Sequence, residues 1–294
     1  LGRTYLFYND GSLATGASNA DIIISGESTA NLFGWFLASG DWNADGKTDL
    51  AVSARGYTSD TGRTYLFYND GSLPTTAATA DVIITGETTS NYFGQSLVSG
   101  DFNFDGKTDL AVGAFGYSSL TGRAYIFYNG SIITENASGA DIILTGETTS
   151  NSFGTFLFSE DWNADGKTDL AVGASGYSSS KGKVYIYTWN DPVITGGATG
   201  DQFGYALATG DFNADGKIDL AVGANGHSSS TGRAYIFYND GVIPNATTGA
   251  DVIITGETAG DTFGSALMSG DWNADGKTDL VIGAPLYSTH TGRA

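Results

Sequence analysis

Asp41-Trp42-Asn43-Ala44-Asp45-Gly46-Lys47-Thr48-Asp49-Leu50-Ala51-Val52 is the stretch that decides how this chain is read. It returns with little change from Asp101, Asp161, Asp211 and Asp271. Each copy carries oxygen-bearing side chains at positions 1, 3, 5 and 9 and a glycine at position 6. A tight loop turns back most cheaply through a left-handed glycine. Alternate side chains of such a loop point to one centre, and position 7 can add its backbone carbonyl. An all-oxygen set with a charge near −3 suits a hard cation, Ca²⁺ first.

The predicted ligands are therefore Asp41, Asn43, Asp45, Lys47 (through its carbonyl) and Asp49 in the first loop. Those of the second are Asp101, Asn103, Asp105, Lys107 and Asp109, and of the third Asp161, Asn163, Asp165, Lys167 and Asp169. The fourth has Asp211, Asn213, Asp215, Lys217 and Asp219, and the fifth Asp271, Asn273, Asp275, Lys277 and Asp279. About five Ca²⁺ are expected, one per repeat. An EF-hand would place Glu at position 12, where the first copy has Val52. The loop instead runs from Asp49 into Leu50-Ala51-Val52, so it joins two strands, with Asp49 as the closing ligand. A single Asp/Asn/Gly run is an ordinary turn. Five in one frame are not.

Composition agrees. The chain has 294 residues, a formal charge of −19, 43 glycines, 4 prolines and no cysteine. The five loops hold 15 of the 32 acidic residues, so five divalent ions would cancel about half the net charge. The 13 Lys and Arg are scattered and form no nucleic-acid patch. Without cysteine there is neither a disulfide framework nor thiol chemistry. No apolar run approaches the roughly 18 residues of a membrane span. With no signal peptide and no initiator Met, the chain reads as a mature form or a fragment. Loops of this kind fill where calcium is millimolar, which points outside the cell.

Between the loops four apolar segments recur, each 4 to 6 residues long and bounded by Gly, Asn, Asp and Ser. Before each loop stands Phe-Gly, at Phe33, Phe93, Phe153, Phe203 and Phe263. After it comes Leu-Ala-Val-Gly-Ala or a variant, then an aromatic run such as Tyr65 to Tyr68, then an aliphatic run such as Asp81 to Thr85. Short β-branched and aromatic runs between turn residues are strands. Four antiparallel strands per repeat make a propeller blade. Loop starts lie 60, 60, 50 and 60 residues apart. The short interval falls where Thr188-Trp189-Asn190-Asp191-Pro192 replaces a longer hairpin, leaving Val193-Ile194-Thr195 as a reduced fourth strand.

Phe-Gly before, D-x-N-x-D-G-x-x-D between and Gly283-Ala284-Pro285 after together resemble FG-GAP repeats. The resemblance covers essentially the whole chain. It implies a β-propeller like the head of integrin α subunits and of secreted integrin-like proteins, some of them lectins. Integrin-type rings have seven blades, whereas five repeats stand here. Asn at position 3, where the family often has Asp, lowers each site's charge by one.

The expected fold is an all-β propeller, one domain over residues 1–294. Residues 1–26 supply strands 3 and 4 of a split blade, 27–262 four complete blades, and 263–294 strands 1 and 2 of the split one. The two ends would pair within one chain, or between chains as an assembly.

In such a blade the 1–2 and 3–4 connections share one face, and the 2–3 and 4–1 connections the other. The resemblance implies partner binding on the face away from the calcium loops. Tyr57, Tyr117, Tyr177, His227 and Tyr287 occupy one position of that face and could stack on a protein or a glycan. Trp42, Phe102, Trp162, Phe212 and Trp272, at position 2 of the loops, alternate away from the ligands and are expected to pack between blades. Sequons at Asn129, Asn136 and Asn245 mark candidate glycosylation sites on the calcium face. The only histidines are His227 and His290, and no catalytic set is visible. The expected function is a non-enzymatic, extracellular, calcium-binding adhesion or assembly module. A lectin and a filament subunit are the alternatives.

Overall fold

A computed structural model describes residues 2–11, 15–129, 135–162, 165–188, 193–240 and 244–294. Of the predicted ligands, Asn163 lies outside the described residues. The chain opens with β1 (Arg3–Leu6) and β2 (Ile22–Ser25), an antiparallel pair. Four blades of four strands follow. The first is β3 (Phe33–Gly40), β4 (Asp49–Ala54), β5 (Arg63–Phe67) and β6 (Val82–Thr85). The second is β7 (Leu97–Gly100), β8 (Asp109–Ala114), β9 (Arg123–Phe127) and β10 (Ile142–Thr145). The third is β11 (Phe153–Glu160), β12 (Asp169–Ala174), β13 (Lys183–Tyr187) and β14 (Val193–Thr195). The fourth is β15 (Phe203–Gly210), β16 (Asp219–Ala224), β17 (Arg233–Phe237) and β18 (Val252–Thr255). A final pair, β19 (Ala266–Gly270) and β20 (Asp279–Gly283), forms its own sheet.

Strand order within each blade follows the sequence, as the repeat predicts. The short fourth strand of the third blade is present, with Lys183, Val184 and Tyr185 opposite Thr195, Ile194 and Val193. Shortening the hairpin ahead of it leaves the blade whole, because loops tolerate deletion better than ladders do.

The chain forms two compact units, residues 1–117 with 125–144 and residues 118–124 with 145–294. In the first, β3 lies beside β7. In the second, β15 lies between β11 and β19. In the four whole blades the Phe-Gly phenylalanine sits edge-on to the tyrosine of its own blade's third strand. Phe93–Tyr125, Phe153–Tyr185 and Phe203–Tyr235 have ring centroids 5.2–5.5 Å apart. Aromatic pairs favour this T-shaped contact because ring edges are positive and faces negative.

The sequence pattern predicts strands and loops only, and the structure adds a turn at the head of each 2–3 connection. Thr58, Ser59 and Asp60 have φ of 41°, 55° and 59°, one turn of left-handed backbone. Ser118, Ser119 and Leu120, and Ser178, Ser179 and Ser180, repeat it. Left-handed backbone costs an L-residue roughly 1–2 kcal/mol. Hydrogen bonds from the next blade offset that cost: Ser90, Tyr92 and Phe93 donate N–H to the carbonyls of Ser59, Asp60 and Thr61 at 3.0, 2.7 and 3.3 Å. Gly62 follows the turn, with Phe93 so close that a Cβ there would stand 2.1 Å from the Phe93 carbonyl oxygen.

Candidate functional site

The predicted calcium loops fold alike. In the first, Asp41 Oδ1 and Asn43 Oδ1 both accept from the Asp45 N–H at 3.0 Å. Asp41 Oδ2 accepts from the Gly46 N–H at 2.9 Å, and Asp45 Oδ1 from the Lys47 N–H at 2.9 Å. Two side-chain oxygens that share one N–H lie on the same side of the loop, so positions 1 and 3 are brought together. Gly46 has the left-handed φ, 80°, that its place predicts. Asp101 with Asn103, Asp211 with Asn213, and Asp271 with Asn273 converge in the same way on the amides of Asp105, Asp215 and Asp275. In the third loop Asp161 makes the equivalent bond to the Asp165 N–H at 3.1 Å. The Lys47 amide holds the exposed Asp45 carboxyl below the usual carboxylate range, with the Lys47 ammonium adding to the effect.

Position 9 behaves differently from a simple closing ligand. Asp49 is buried, and both its oxygens are taken by main chain: Oδ2 by the Trp42 N–H at 2.9 Å and Oδ1 by the Asn69 N–H at 2.8 Å. Asp109 and Asp219 repeat both bonds, and Asp169 and Asp279 the first of them. This aspartate ties the loop's start to the end of strand 3. Next to it, Asp81 Oδ2 takes the Tyr68 N–H at 2.8 Å. Burial pushes the carboxyls of Asp49, Asp109 and Asp219 up, against the pull of their amide donors.

Among the described residues no three acidic or histidine side chains converge as a metal cluster. The donor set nonetheless fits Ca²⁺ in kind. Carboxylate and amide oxygens at positions 1 and 3 lie together on a loop rich in negative charge. An oxygen that accepts one hydrogen bond keeps a second lone pair. Asp41, Asn43, Asp45 and Asp49, with the Lys47 carbonyl, are the groups that would hold the ion, and Asp49 also ties the loop to the end of strand 3.

The aromatics at position 2 pack as expected in two loops. Trp42 and Trp162 are buried, and Trp42 Nε1 donates to the Asp109 carbonyl of the next blade at 3.2 Å. Trp272 is 59% exposed.

At the other end of the strands, Tyr57, Tyr117, Tyr177, His227 and Tyr287 are all half-buried. They are not free stacking platforms. The Arg63 guanidinium lies 3.7 Å from the Tyr57 ring centre, the Lys183 ammonium 4.1 Å from that of Tyr177, and Arg293 5.0 Å from that of Tyr287. Those cations also meet a glutamate that follows strand 4 of the preceding blade. Arg63 bonds Glu27 at 3.1 Å, Lys183 bonds Glu147 at 2.6 Å and Arg293 bonds Glu257 at 2.9 Å. Tyr125 and Tyr185 donate their hydroxyls to Glu87 and Glu147 at 2.7 and 2.9 Å. The hydrogen bond from Lys183 holds the Glu147 carboxyl below its usual range. A glutamate, a cation and a tyrosine thus latch one blade to the next. Sequence inspection missed this, although a signal existed. Glu27, Glu87, Glu147 and Glu257 each precede a basic residue by 36 positions.

Comparison with known proteins agrees with this architecture. The FG-GAP repeat model matches residues 153–187, 203–237 and 263–294, and an FG-GAP-like repeat model matches 41–112. The chain is an FG-GAP repeat protein. It resembles the phosphatidylinositol-glycan-specific phospholipase D of Bos taurus, 35% identical over 170 residues, 52% of this chain and 20% of that protein. It also resembles integrin alpha-PS2 of Drosophila melanogaster, 34% identical over 181 residues, 56% of this chain and 12% of that one. The matches thus span a fifth or less of either relative. A six-bladed propeller lectin from Aleuria aurantia superposes with a TM-score of 0.44 at 11% identity, over 86% of this chain and 71% of the other.

The sequons of this FG-GAP chain differ in their surroundings. Asn129 Nδ2 donates to the Asp41 carbonyl at 3.0 Å, so a glycan there would break a contact between the first two blades. Asn136 and Asn245 are exposed.

Proposed function

We propose that this chain is an extracellular, calcium-stabilised FG-GAP propeller that serves as an adhesion or assembly module and has no catalytic role. The observation that carries the calcium reading is the shared convergence of position 1 and position 3 oxygens on one N–H, at about the same distance in four loops. One such turn is ordinary. Its repetition at the same place in successive blades concentrates charge where a divalent ion would neutralise it. Integrin alpha-PS2 supports a surface role by likeness alone. Among the described residues no helix is long and apolar enough to cross a membrane. By resemblance to the family, we propose a protein or glycan partner at the end of the strands away from the calcium loops.

Extracellular-class sites bind calcium with Kd of roughly 10⁻⁴–10⁻³ M. At about ten times Kd each contributes roughly 1.4 kcal/mol, and five contribute roughly 7 kcal/mol. That is comparable to a whole domain's stability of about 5–15 kcal/mol. The melting temperature should therefore fall steeply when EDTA replaces millimolar calcium. An unchanged midpoint would sink the proposal.

A further inference from the structure

The latch between blades is incomplete at one junction. After strand 4 the chain reads Gly26-Glu27, Gly86-Glu87, Gly146-Glu147 and Gly256-Glu257, but Gly196-Gly197 ahead of the fourth blade. The residues that meet the glutamate elsewhere are still in place. Arg233 occupies the position of Arg63 and Lys183, and Tyr235 that of Tyr125 and Tyr185. The Arg233 Nε–H donates to Thr255 Oγ1 at 3.0 Å. Arg63 and Arg123 make the same bond to Thr85 and Thr145 at 2.9 and 3.1 Å. The guanidinium pose is thus set by strand 4 of its own blade and does not depend on the glutamate. Tyr235 is 3% exposed and its ring rests on Phe203 as its counterparts rest on Phe93 and Phe153. Among the described residues, neither the Tyr235 hydroxyl nor the terminal nitrogens of Arg233 have a hydrogen-bond partner.

The acid that follows Gly197 most closely, Asp201, is committed elsewhere. Asp201 stands where the first three blades have Asn31, Asn91 and Asn151. Its Oδ1 lies 3.0 Å from His227 Nδ1 and its Oδ2 accepts from the Ala198 N–H at 2.9 Å. His227 itself replaces the tyrosine that covers the cation in the first and third blades, and it is turned to Asp201. A guanidinium and a phenol, fixed in position and lacking a carboxylate, make a prepared oxyanion receptor, because charge-assisted bonds to such a pair are strong.

We propose that Arg233 and Tyr235 bind the carboxylate of an external ligand, which occupies the place that Glu27, Glu87, Glu147 and Glu257 fill at the other junctions. The resident group elsewhere is a glutamate side chain borne on polypeptide, so the ligand class is an acidic peptide segment. The site belongs to the junction between the third and fourth blades and to the strand ends away from the calcium loops. It rests on blade packing and not on calcium, so it stands or falls independently of the metal.

Sodium propionate is the probe, since it is the free equivalent of a glutamate side chain. In saturating calcium, propionate should raise the melting temperature of the chain along a saturable curve, while sodium chloride at equal ionic strength should not. Gly197→Glu supplies the missing carboxylate from within, and Glu257 beside Asp261 is a precedent for glutamate and aspartate at these two positions. That variant should melt higher than the parent and lose the propionate response. Tyr235→Phe keeps the ring and should weaken propionate binding roughly 10- to 100-fold, the loss of one hydrogen bond to a charged group. A propionate response as large in Gly197→Glu as in the parent, or no larger than that of chloride, overturns the proposal. N-acetylglutamate amide binding more tightly than glucuronate supports the peptide class, and the reverse order contradicts it.

Discussion

At one end of the first whole blade Asp41, Asp45, Asp49 and Asp81 accept from main-chain N–H groups, while at the other end Glu27 accepts from the Arg63 guanidinium. Both sets of acids accept hydrogen bonds, and among the loop acids Asp45 also pairs with the exposed Lys47 ammonium at 3.3 Å. They differ in charge balance. Amide donors steady a carboxylate without cancelling its charge, and neighbouring carboxylates repel. A guanidinium does cancel it. The loop end therefore keeps more uncancelled negative charge than the Glu27–Arg63 pair does. The exception is the junction with Gly197, where the cation remains and the acid is gone. The same comparison is the ground for proposing Ca²⁺ at one end and a partner with side-chain chemistry at the other.

The sharpest way to break this comparison is at position 9. Asp109→Ala removes the acceptor of the Phe102 and Asn129 N–H groups. Two partly buried donors left without partners should cost roughly 2–4 kcal/mol. If Asp109 is a structural floor, a denaturant melt should show that cost both with calcium and with EDTA. If the cost disappears in EDTA, Asp109 acts through the metal alone and the division of roles within the loop is wrong.

The neutral end is sharpened at its left-handed turn. Ser119, with φ of 58°, is exposed, and its carbonyl accepts the Ser150 N–H at 3.1 Å. Ser119→Val places a β-branched residue in left-handed backbone and should cost about 1–2 kcal/mol. Ser119→Gly keeps the carbonyl and relieves the strain, so it should be neutral or slightly stabilising. Equal stability of the two variants in urea would show that the turn is not held left-handed in solution.

The smallest effect is that of the latch itself. Glu147 is depressed by Lys183, so its folded-state pKa lies below the unfolded value. Its contribution is present above the unfolded pKa, roughly 4.3, and is lost as pH falls through the folded one. The side chain is about half exposed, so solvent screening limits the pair to about 0.5 kcal/mol. Glu147→Gln should be less stable than the parent by that amount near neutrality, with the gap closing below the unfolded pKa. A gap that persists in acid would assign the loss to packing instead of charge.

Much of this was legible because the chain repeats itself. Loop starts, the four strands, their order and the shortened strand at Val193 could all be read from spacing, since apolar runs and turn residues report local backbone preference directly. The left-handed turns could not. Serine and threonine carry no sign of positive φ, and what holds Ser59 there is an N–H from Ser90 in the next blade. Position 9 carries a second role that spacing does not announce: an aspartate in a calcium-like frame gives no hint that Asn69, 20 residues on, will donate its N–H to one of its oxygens. The latch escaped because its partners lie 36 residues apart and meet only when blades pack side by side.

The most direct test of the account is a calcium titration of the chelator-stripped chain, followed by calorimetry. Five sites with Kd in the range of roughly 10⁻⁴–10⁻³ M are predicted, falling to four in Asp45→Ala, because each loop draws its ligands from one blade. No saturable uptake, or loss of all sites in that single variant, would contradict it.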